Sequence, residues 1–303
     1  MKSDALWLRA RVIKAVRDFF WKRGFLEVET PLLIPANAPE EHINPVFTLP
    51  SSWQLQTSPE MCMKRLLCAG HQKLFQISHC WRSDERGSRH LSEFTMLEWY
   101  RAGCDYQELM TDCEELLQYV ASTCRPDSRC FERNAMTINP FAAWKRISVQ
   151  EAFSRFGNSD VLDCLRKGRY EEILTSVIEP ALADFGTPVI LLDYPVELAA
   201  LARVKPENNT LAERFELYVG GLELANGFSE LNDPLEQRRR FEEANAVRSS
   251  AGHSLLPLPE PFLETLGLMP DSAGIALGID RLVMLTAGVD SIDDVVAFTP
   301  EDL

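Results

Sequence analysis

The chain has 303 residues, 46% of them hydrophobic and 25% charged, proportions that suit a soluble globular protein and exclude a fibrous or low-complexity one. No apolar run nears the roughly 20 residues of a membrane span, and the opening Met1-Lys2-Ser3-Asp4 lacks signal-peptide order, so a cytoplasmic protein with no membrane partner is expected. A formal charge of -14 argues against a broad basic footprint for nucleic acid, and eight cysteines without a C-x-x-C pair read as reduced thiols rather than zinc ligands.

In chain order, the apolar spacing of Leu8, Val12, Ile13, Val16, Phe19 and Phe20 predicts an amphipathic helix ended by Gly24. Residues Phe25 to Thr30 alternate like a strand and stop at Pro31. Ser58-Pro59-Glu60 supplies an N-cap, a first-turn proline and a first-turn acid for a helix running to about Gly70. Two strands follow, Lys73 to Trp81 and Glu93 to Tyr100, around a loop rich in arginine and glycine. Residues 105 to 185 read as mainly helical, with Ser148 as a cap. A strand region from about Ala212 carries two turn signals, Gly220-Gly221 and Asn226-Gly227. Asp233-Pro234 opens a polar helix to about Ser250, and the small-residue strand Ala273 to Ile279 runs into a helix capped by Asp280. No linker or repeat divides the chain, so one domain over 1–303 is the expectation.

Residues two apart on a strand share a face. One face of the second strand pair therefore displays Gln76, Ser78, Cys80 and Arg82 beside Phe94, Met96, Glu98 and Tyr100, a mixture of polar and aromatic groups that suits either a binding floor or a solvated sheet face. Between residues 64 and 101, seven basic residues meet four acids, a local excess that suits either an anion site or a solvated charged surface. Glu216, Glu223 and Glu230 recur every seven residues, but Gly220, Gly221 and Gly227 argue against a helix. With Gly220-Gly221 as a hairpin loop, Tyr218 faces Glu223 and Glu216 lies diagonally beside it on the same face. Like charges so placed repel unless a cation joins them or one is protonated, and oxygen ligands shared with phosphates suit Mg²⁺; two glutamates diverging into water remain the alternative. In Gly274-Ile275-Ala276-Leu277-Gly278-Ile279-Asp280-Arg281, small residues permit close approach of a ligand, and Arg281 at a helix start can meet phosphate.

Taken together these segments resemble the three motifs of the class II aminoacyl-tRNA synthetases, in the lysyl branch. The stretch from Trp21 to Pro31 resembles motif 1, which in that family builds a dimer interface. Cys80 to Glu85 with Phe94 to Tyr100 resembles motif 2, and Gly278-Ile279-Asp280-Arg281 resembles motif 3. Thr57 to Glu60 and Glu223 to Leu231 match that branch's amino-acid and metal segments. Motif 1 begins within the first few dozen residues, so an N-terminal OB-fold that reads an anticodon is not expected. That pattern is similar to the truncated family of elongation factor P lysine ligases, which implies an α+β fold with an antiparallel sheet flanked by helices, ATP and Mg²⁺ as cofactors, lysine or (R)-β-lysine as substrate, a lysine of elongation factor P as acceptor, a homodimer through motif 1, and no tRNA.

The resemblance also implies roles. Arg82 would contact the α-phosphate and Arg281 the γ-phosphate, so that catalysis is mainly positioning and electrostatics. Phe94 would stack on adenine, with Ser83, Asp84, Leu91, Glu223, Leu224 and Gly278 completing the ATP site. Asp84 stands where the family has glutamate and Leu91 where it often has asparagine, so contact at Leu91 would be main-chain only. Glu216 and Glu223 would carry Mg²⁺, while Ser58, Pro59, Glu60, Glu98, Tyr100, Asn226, Glu230 and Ala276 would surround the amino acid. Ala276 replaces a glycine typical of the tRNA enzymes, and its methyl would crowd an α-amino group. A synthetase core acting on tRNA with a separate partner, or a non-catalytic amino-acid sensor, are the other readings.

Overall fold

The computed structural model describes residues 2–303. Helix α1 (Lys2–Lys22) ends at Gly24, whose left-handed φ of +75° turns the chain as the sequence predicts. The strand expected over residues 25–30 is only β1 (Leu26–Glu27), because Pro31 and the irregular chain beyond it supply no ladder donors. Helix α2 is Glu60–Cys68, with the Ser58 hydroxyl accepting the Glu60 N–H at 3.0 Å. Strands β2 (Lys73–Trp81) and β3 (Glu93–Ala102) stand as predicted.

Helix α3 (Tyr106–Cys124) follows. The rest of the stretch read as helical contains a hairpin, Phe131–Arg133 with Met136–Ile138, and strand β4 (Lys145–Ser148). These short strands have too few residues to show a period. Ser148 does cap the helix Val149–Arg155, accepting from the Glu151 N–H. Strand β5 (Val189–Pro195) was not expected. Short β6 (Val204–Lys205) leads into β7 (Asn208–Val219) and β8 (Leu222–Ser229). Helix α4 (Pro234–Ser250), capped by Asp233, β9 (Ser272–Gly278) and helix α5 (Ile279–Ala287) complete the main elements.

The sheet runs β1-β2-β3-β9-β8-β7-β5-β4, with β6 as a ninth strand on β7. It is antiparallel at its centre and parallel only in the outer pairs β1/β2 and β4/β5. Its apolar face, with Phe75, Leu97, Trp99, Ile275, Leu277, Phe215 and Leu217, packs on Val12, Val16, Phe19 and Phe20 of α1, on α3 and on α5. The fold is thus the α+β arrangement expected.

Gly220 and Gly221 form the hairpin loop between β7 and β8, with φ of +59° and +69°, the pair of left-handed residues such a turn needs. Asn226-Gly227 is not a turn; both residues lie within β8. Gly227 is required there for packing, because a Cβ would sit 2.8 Å from the Phe215 ring and 3.0 Å from Ile275. Asp280 likewise does not cap α5. Gly278 holds the cap position without a side-chain bond, and the buried Asp280 carboxylate accepts from the Thr95 N–H at 2.7 Å and from Arg9 at 2.5 Å.

Gly227→Ala is expected to destabilise the protein by about 1–3 kcal/mol through overpacking, read as a lowered urea midpoint with an unchanged slope; stability equal to the parent would refute the close contact with Phe215.

Candidate active site

The other face of the central sheet carries the polar groups. Cross-strand register aligns Gln76 with Glu98, Ser78 with Met96 and Cys80 with Phe94. It then sets Glu98 beside Ala276 and Tyr100 beside Gly274, Ala276 beside Asn226, and Asn226 beside Glu216. One continuous floor results, about 180 Å³ of which is a cavity bounded by Glu60, Glu98, Tyr100, Phe228, Gly274 and Ala276. A second cavity opens beside it around Phe94, Leu224, Gly278 and Arg281.

In the Glu98 cavity, the Ser58 hydroxyl donates to Glu98 Oε1 at 2.5 Å and the Tyr100 hydroxyl to Oε2 at 2.7 Å. Burial, with Glu60 nearby, nevertheless pushes the Glu98 carboxyl up to about 8, since an ionised carboxylate loses hydration there. Glu230 is also pushed up to about 8, again by burial first. It does not line the cavity wall but lies under Gly274, where a Cβ would come 2.3 Å from its Oε1 and 2.2 Å from the Tyr100 ring.

Lys64 holds this cluster together. Fully buried on α2, it pairs with Glu230 and with Glu60 at 2.6 Å. Burial pulls its ammonium down, but the two carboxylates outweigh that and its pKa is raised. Sequence reasoning missed Lys64, although its spacing of four from Glu60 on a helix places them on one face.

Arg82 lines both cavities. Its guanidinium lies 5.2 Å from the Phe94 ring centroid, and its Nε is buried with no protein acceptor, so it presents an unmet donor where the two cavities join. Arg281 donates to the Glu223 carbonyl at 2.7 Å and to His90 Nε2 at 2.7 Å. Burial, then Arg281, Arg82 and Arg89, lowers His90 to about 4, so the imidazole is neutral and accepts. His90 and Glu85, both in the second cavity, were also missed. Ser83 and Asp84 do not line either cavity; they form an exposed turn with Asp84 at φ +66°, its carboxylate taking the Ser83 hydroxyl at 3.2 Å. Pro59 is buried at the start of α2 and sets Ser58 and Glu60 rather than lining the space. Leu91 lines the second cavity from the edge of the apolar core.

A third cavity holds Glu216 and Glu223 together. Tyr218 faces Glu223 across the hairpin as expected, and its hydroxyl donates to Glu216 at 2.8 Å. Arg214 pairs with Glu216 at 2.7 Å and donates to Asn226 Oδ1 at 3.2 Å. Burial raises the Glu216 carboxyl, Arg214 lowers it, and Glu223 raises it further. Glu179, on the same wall, is raised to about 7 by burial. Among the described residues no three histidine, cysteine or acidic side chains converge to hold a metal unaided. Two carboxylates sharing a cavity with Arg89 and Arg281 fit an ion that takes its remaining ligands from substrate phosphates and water.

The sequence has relatives among known proteins. The model of the class II tRNA synthetases (D, K and N) matches residues 1–302. The chain belongs to that family. It is also 40% identical, over 96% of its length and 93% of theirs, to proteins of Salmonella gallinarum (strain 287/91) and Salmonella dublin, each named elongation factor P--(R)-beta-lysine ligase. A Salmonella paratyphi B protein of the same name is 39% identical over the same shares. Family membership accounts for the antiparallel floor with an arginine at the end of one strand and another at the start of α5. Among the described residues, no helix is long and apolar enough to cross a membrane.

Gly274→Ala is expected to abolish amino-acid-dependent ATP–pyrophosphate exchange while the protein stays folded by circular dichroism, because the methyl displaces Glu230 and Tyr100. Lys64→Met is expected to raise the KM for the amino acid at least tenfold with little change in the KM for ATP, and Lys64→Arg to restore part of it. Equal effects on both Michaelis constants would refute a role confined to the amino-acid cavity.

Proposed function

We propose that this chain uses ATP to activate (R)-β-lysine as its adenylate and transfers it to a lysine side chain of elongation factor P; its relatives are named for ligating elongation factor P and (R)-β-lysine. The observation that carries the reading is Arg82, whose Nε is an unmet cationic donor at the junction of the acidic cavity and the one around Phe94 and Arg281. An amino-acid carboxylate and the α-phosphate must meet at such a place.

The acidic cavity suits a diamine. When ionised, Glu60 and Glu98 of its wall and Glu230 beneath it bring three carboxylates against the one ammonium of Lys64, which leaves two negative charges for the two ammonium groups of a lysine. A neutral amino acid would leave them uncompensated. Ala276, between Glu98 and Asn226 in the floor, narrows the space beside the reacting carbon and favours an amino group displaced by one carbon. Small shape differences of this kind are worth about 1–3 kcal/mol.

In the first step the carboxylate oxygen attacks the α-phosphorus and pyrophosphate leaves. Arg82 meets the charge that builds on the α-phosphate, and Arg281, fixed by neutral His90 and the Glu223 carbonyl, holds the far phosphates. Phe94 offers its ring to adenine. Mg²⁺ would be held by Glu216 and Glu223 and would supply charge neutralisation to the phosphates. In the second step an acceptor amine displaces AMP.

The dimer belongs to the same proposal. Nine of the large apolar residues that stay exposed lie between Leu6 and Trp53, including Trp7, Trp21, Leu49 and Trp53. So dense an exposure suits a surface covered by a second copy. The reaction belongs in the cytoplasm, where the factor and ATP are, and the charge of -14 favours a cationic substrate over tRNA.

ATP–pyrophosphate exchange across lysine analogues, with mass spectrometry of elongation factor P, tests the whole reading. (R)-β-Lysine is expected to support exchange best and to add one residue mass to the factor; no exchange with any diamino acid would overturn it. Arg82→Ala should lower the exchange rate by roughly 10²–10³. Ala276→Gly should shift the preference toward α-lysine. Because the Glu98 and Glu230 carboxyls ionise only near pH 8 in the free protein, the charged form that binds a cation grows as pH rises. Exchange kcat/KM for the amino acid should therefore climb between pH 6 and 8 and then level; a flat profile would contradict ionisation of the cavity acids.

A further inference from the structure

A lateral cavity of about 500 Å³ lies between residues 39–43, the 196–201 turn and helix α4. It shares Glu40, Ala200, Leu201 and Arg214 with the Glu98 cavity, so the two spaces adjoin. Glu40 also lines the nucleotide-side cavity and is the residue common to all three. Among the described residues nothing donates a hydrogen bond or ion pair to its carboxylate, yet its backbone is firmly held. The buried Arg248 of α4 donates to the carbonyls of Glu40 at 2.9 Å and Ile43 at 2.8 Å and to Asn44 Oδ1 at 2.9 Å. Asn44 in turn accepts the Ser83 N–H, next to Arg82, at 2.7 Å.

The lateral cavity is built for a polar guest. Gln237, only 1% exposed, lines it with both amide atoms lacking any protein partner. A buried amide left so costs stability unless something else bonds it. Arg214, Arg239 and Arg240 also line it but are paired with Glu216, Glu236 and Glu243, so the remaining exposed carboxylates Glu41 and Glu197 favour a cation.

We propose that the lateral cavity admits the acceptor's lysine side chain and that Glu40, at its inner end, takes the proton from that lysine's ammonium. The inference rests on the transfer reading above. A lysine ammonium has a pKa near 10.4, so roughly one in a few thousand is neutral at pH 7, and only the neutral amine has a lone pair. The Glu40 carboxylate takes one of the three ammonium protons. The freed nitrogen bonds to the adenylate carbonyl carbon, the bond from that carbon to the phosphate oxygen breaks, and AMP leaves with its electron pair. A second proton leaves to the departing phosphate or to water, and the third stays on the amide. Glu40 then returns its proton to water through the cavity mouth. Arg82, Glu60, Arg214 and Glu85 face Glu40, and burial sets its carboxyl at about 7, where it can accept a proton near neutrality.

The test uses the full-length enzyme charged with β-lysyl adenylate and chased with either elongation factor P or hydroxylamine, each rate measured per adenylate formed. Hydroxylamine is already neutral at pH 7 and small, so it needs neither base nor docking. Glu40→Gln is expected to lower the ratio of protein transfer to hydroxamate formation at least thirtyfold, and Glu40→Asp to recover part of it. The pH profile of transfer should lose its rise near pH 7 in Glu40→Gln. Ala200→Trp, at the neck between the cavities, should lower the same ratio through the acceptor's KM. Parallel loss of both chases, or an unchanged ratio in Glu40→Gln, would overturn the proposal. A parent enzyme that gives hydroxamate but never labels the factor would overturn the transfer reading itself, and this inference with it.

Discussion

The hydrogen-bonded register of β2, β3, β9, β8 and β7 is the constraint on which the rest depends. Alternation along each strand sends one set of side chains into the core with α1, α3 and α5 and the other into the site. A slip of one residue in any strand would exchange Trp99 for Glu98 or Ile275 for Ala276, placing a charge in the core. The apolar face therefore secures the geometry of the polar one, and the hairpin at Gly220-Gly221 secures the pairing that brings Glu216 to Glu223.

On that floor the energetics are electrostatic. Glu98 and Glu230 are buried beyond what their partners offset, and both titrate near pH 8. Such a cavity is an incomplete ion pair, which a diamine would complete in the proposed reaction. Lys64 supplies part of the missing charge permanently and so holds Glu60 and Glu230 together and oriented before any ligand arrives. Gly274 and Ala276 decide how close that ligand comes. Arg82 and Arg281 would perform the equivalent task for phosphate in the proposed reaction, with His90 kept neutral by burial and by the arginines around it.

The site also has a third side. Residues 39–44, tied by Arg248 to α4 and through Asn44 to the loop bearing Arg82, link the reacting junction to the lateral cavity. In the proposed transfer to a protein, that cavity would be the opening for the acceptor, beside the ATP and amino-acid cavities.

What the sequence by itself determined were features carried by local chemistry. Helix α1 followed from its apolar spacing and Gly24, β2 and β3 from alternation, the hairpin from Gly220-Gly221, and helix α4 from Asp233-Pro234. The motif residues Arg82, Phe94, Glu98 and Glu223 were legible because strand pairing and family spacing both point to them, and Arg281 because it stands at a helix start in the family's spacing. Tertiary structure alone decided the rest. Asn226-Gly227 lies inside a strand because packing on Phe215 required glycine there, overriding its turn propensity. Asp280 left the cap position because Arg9 and the Thr95 amide, far away in sequence, offered it buried partners. Ser83 and Asp84 turned outward because the backbone at Asp84 is left-handed. Lys64, Glu40 and Gln237 acquire their meaning only from neighbours contributed by other segments, and contacts of that range leave no periodic trace in the chain.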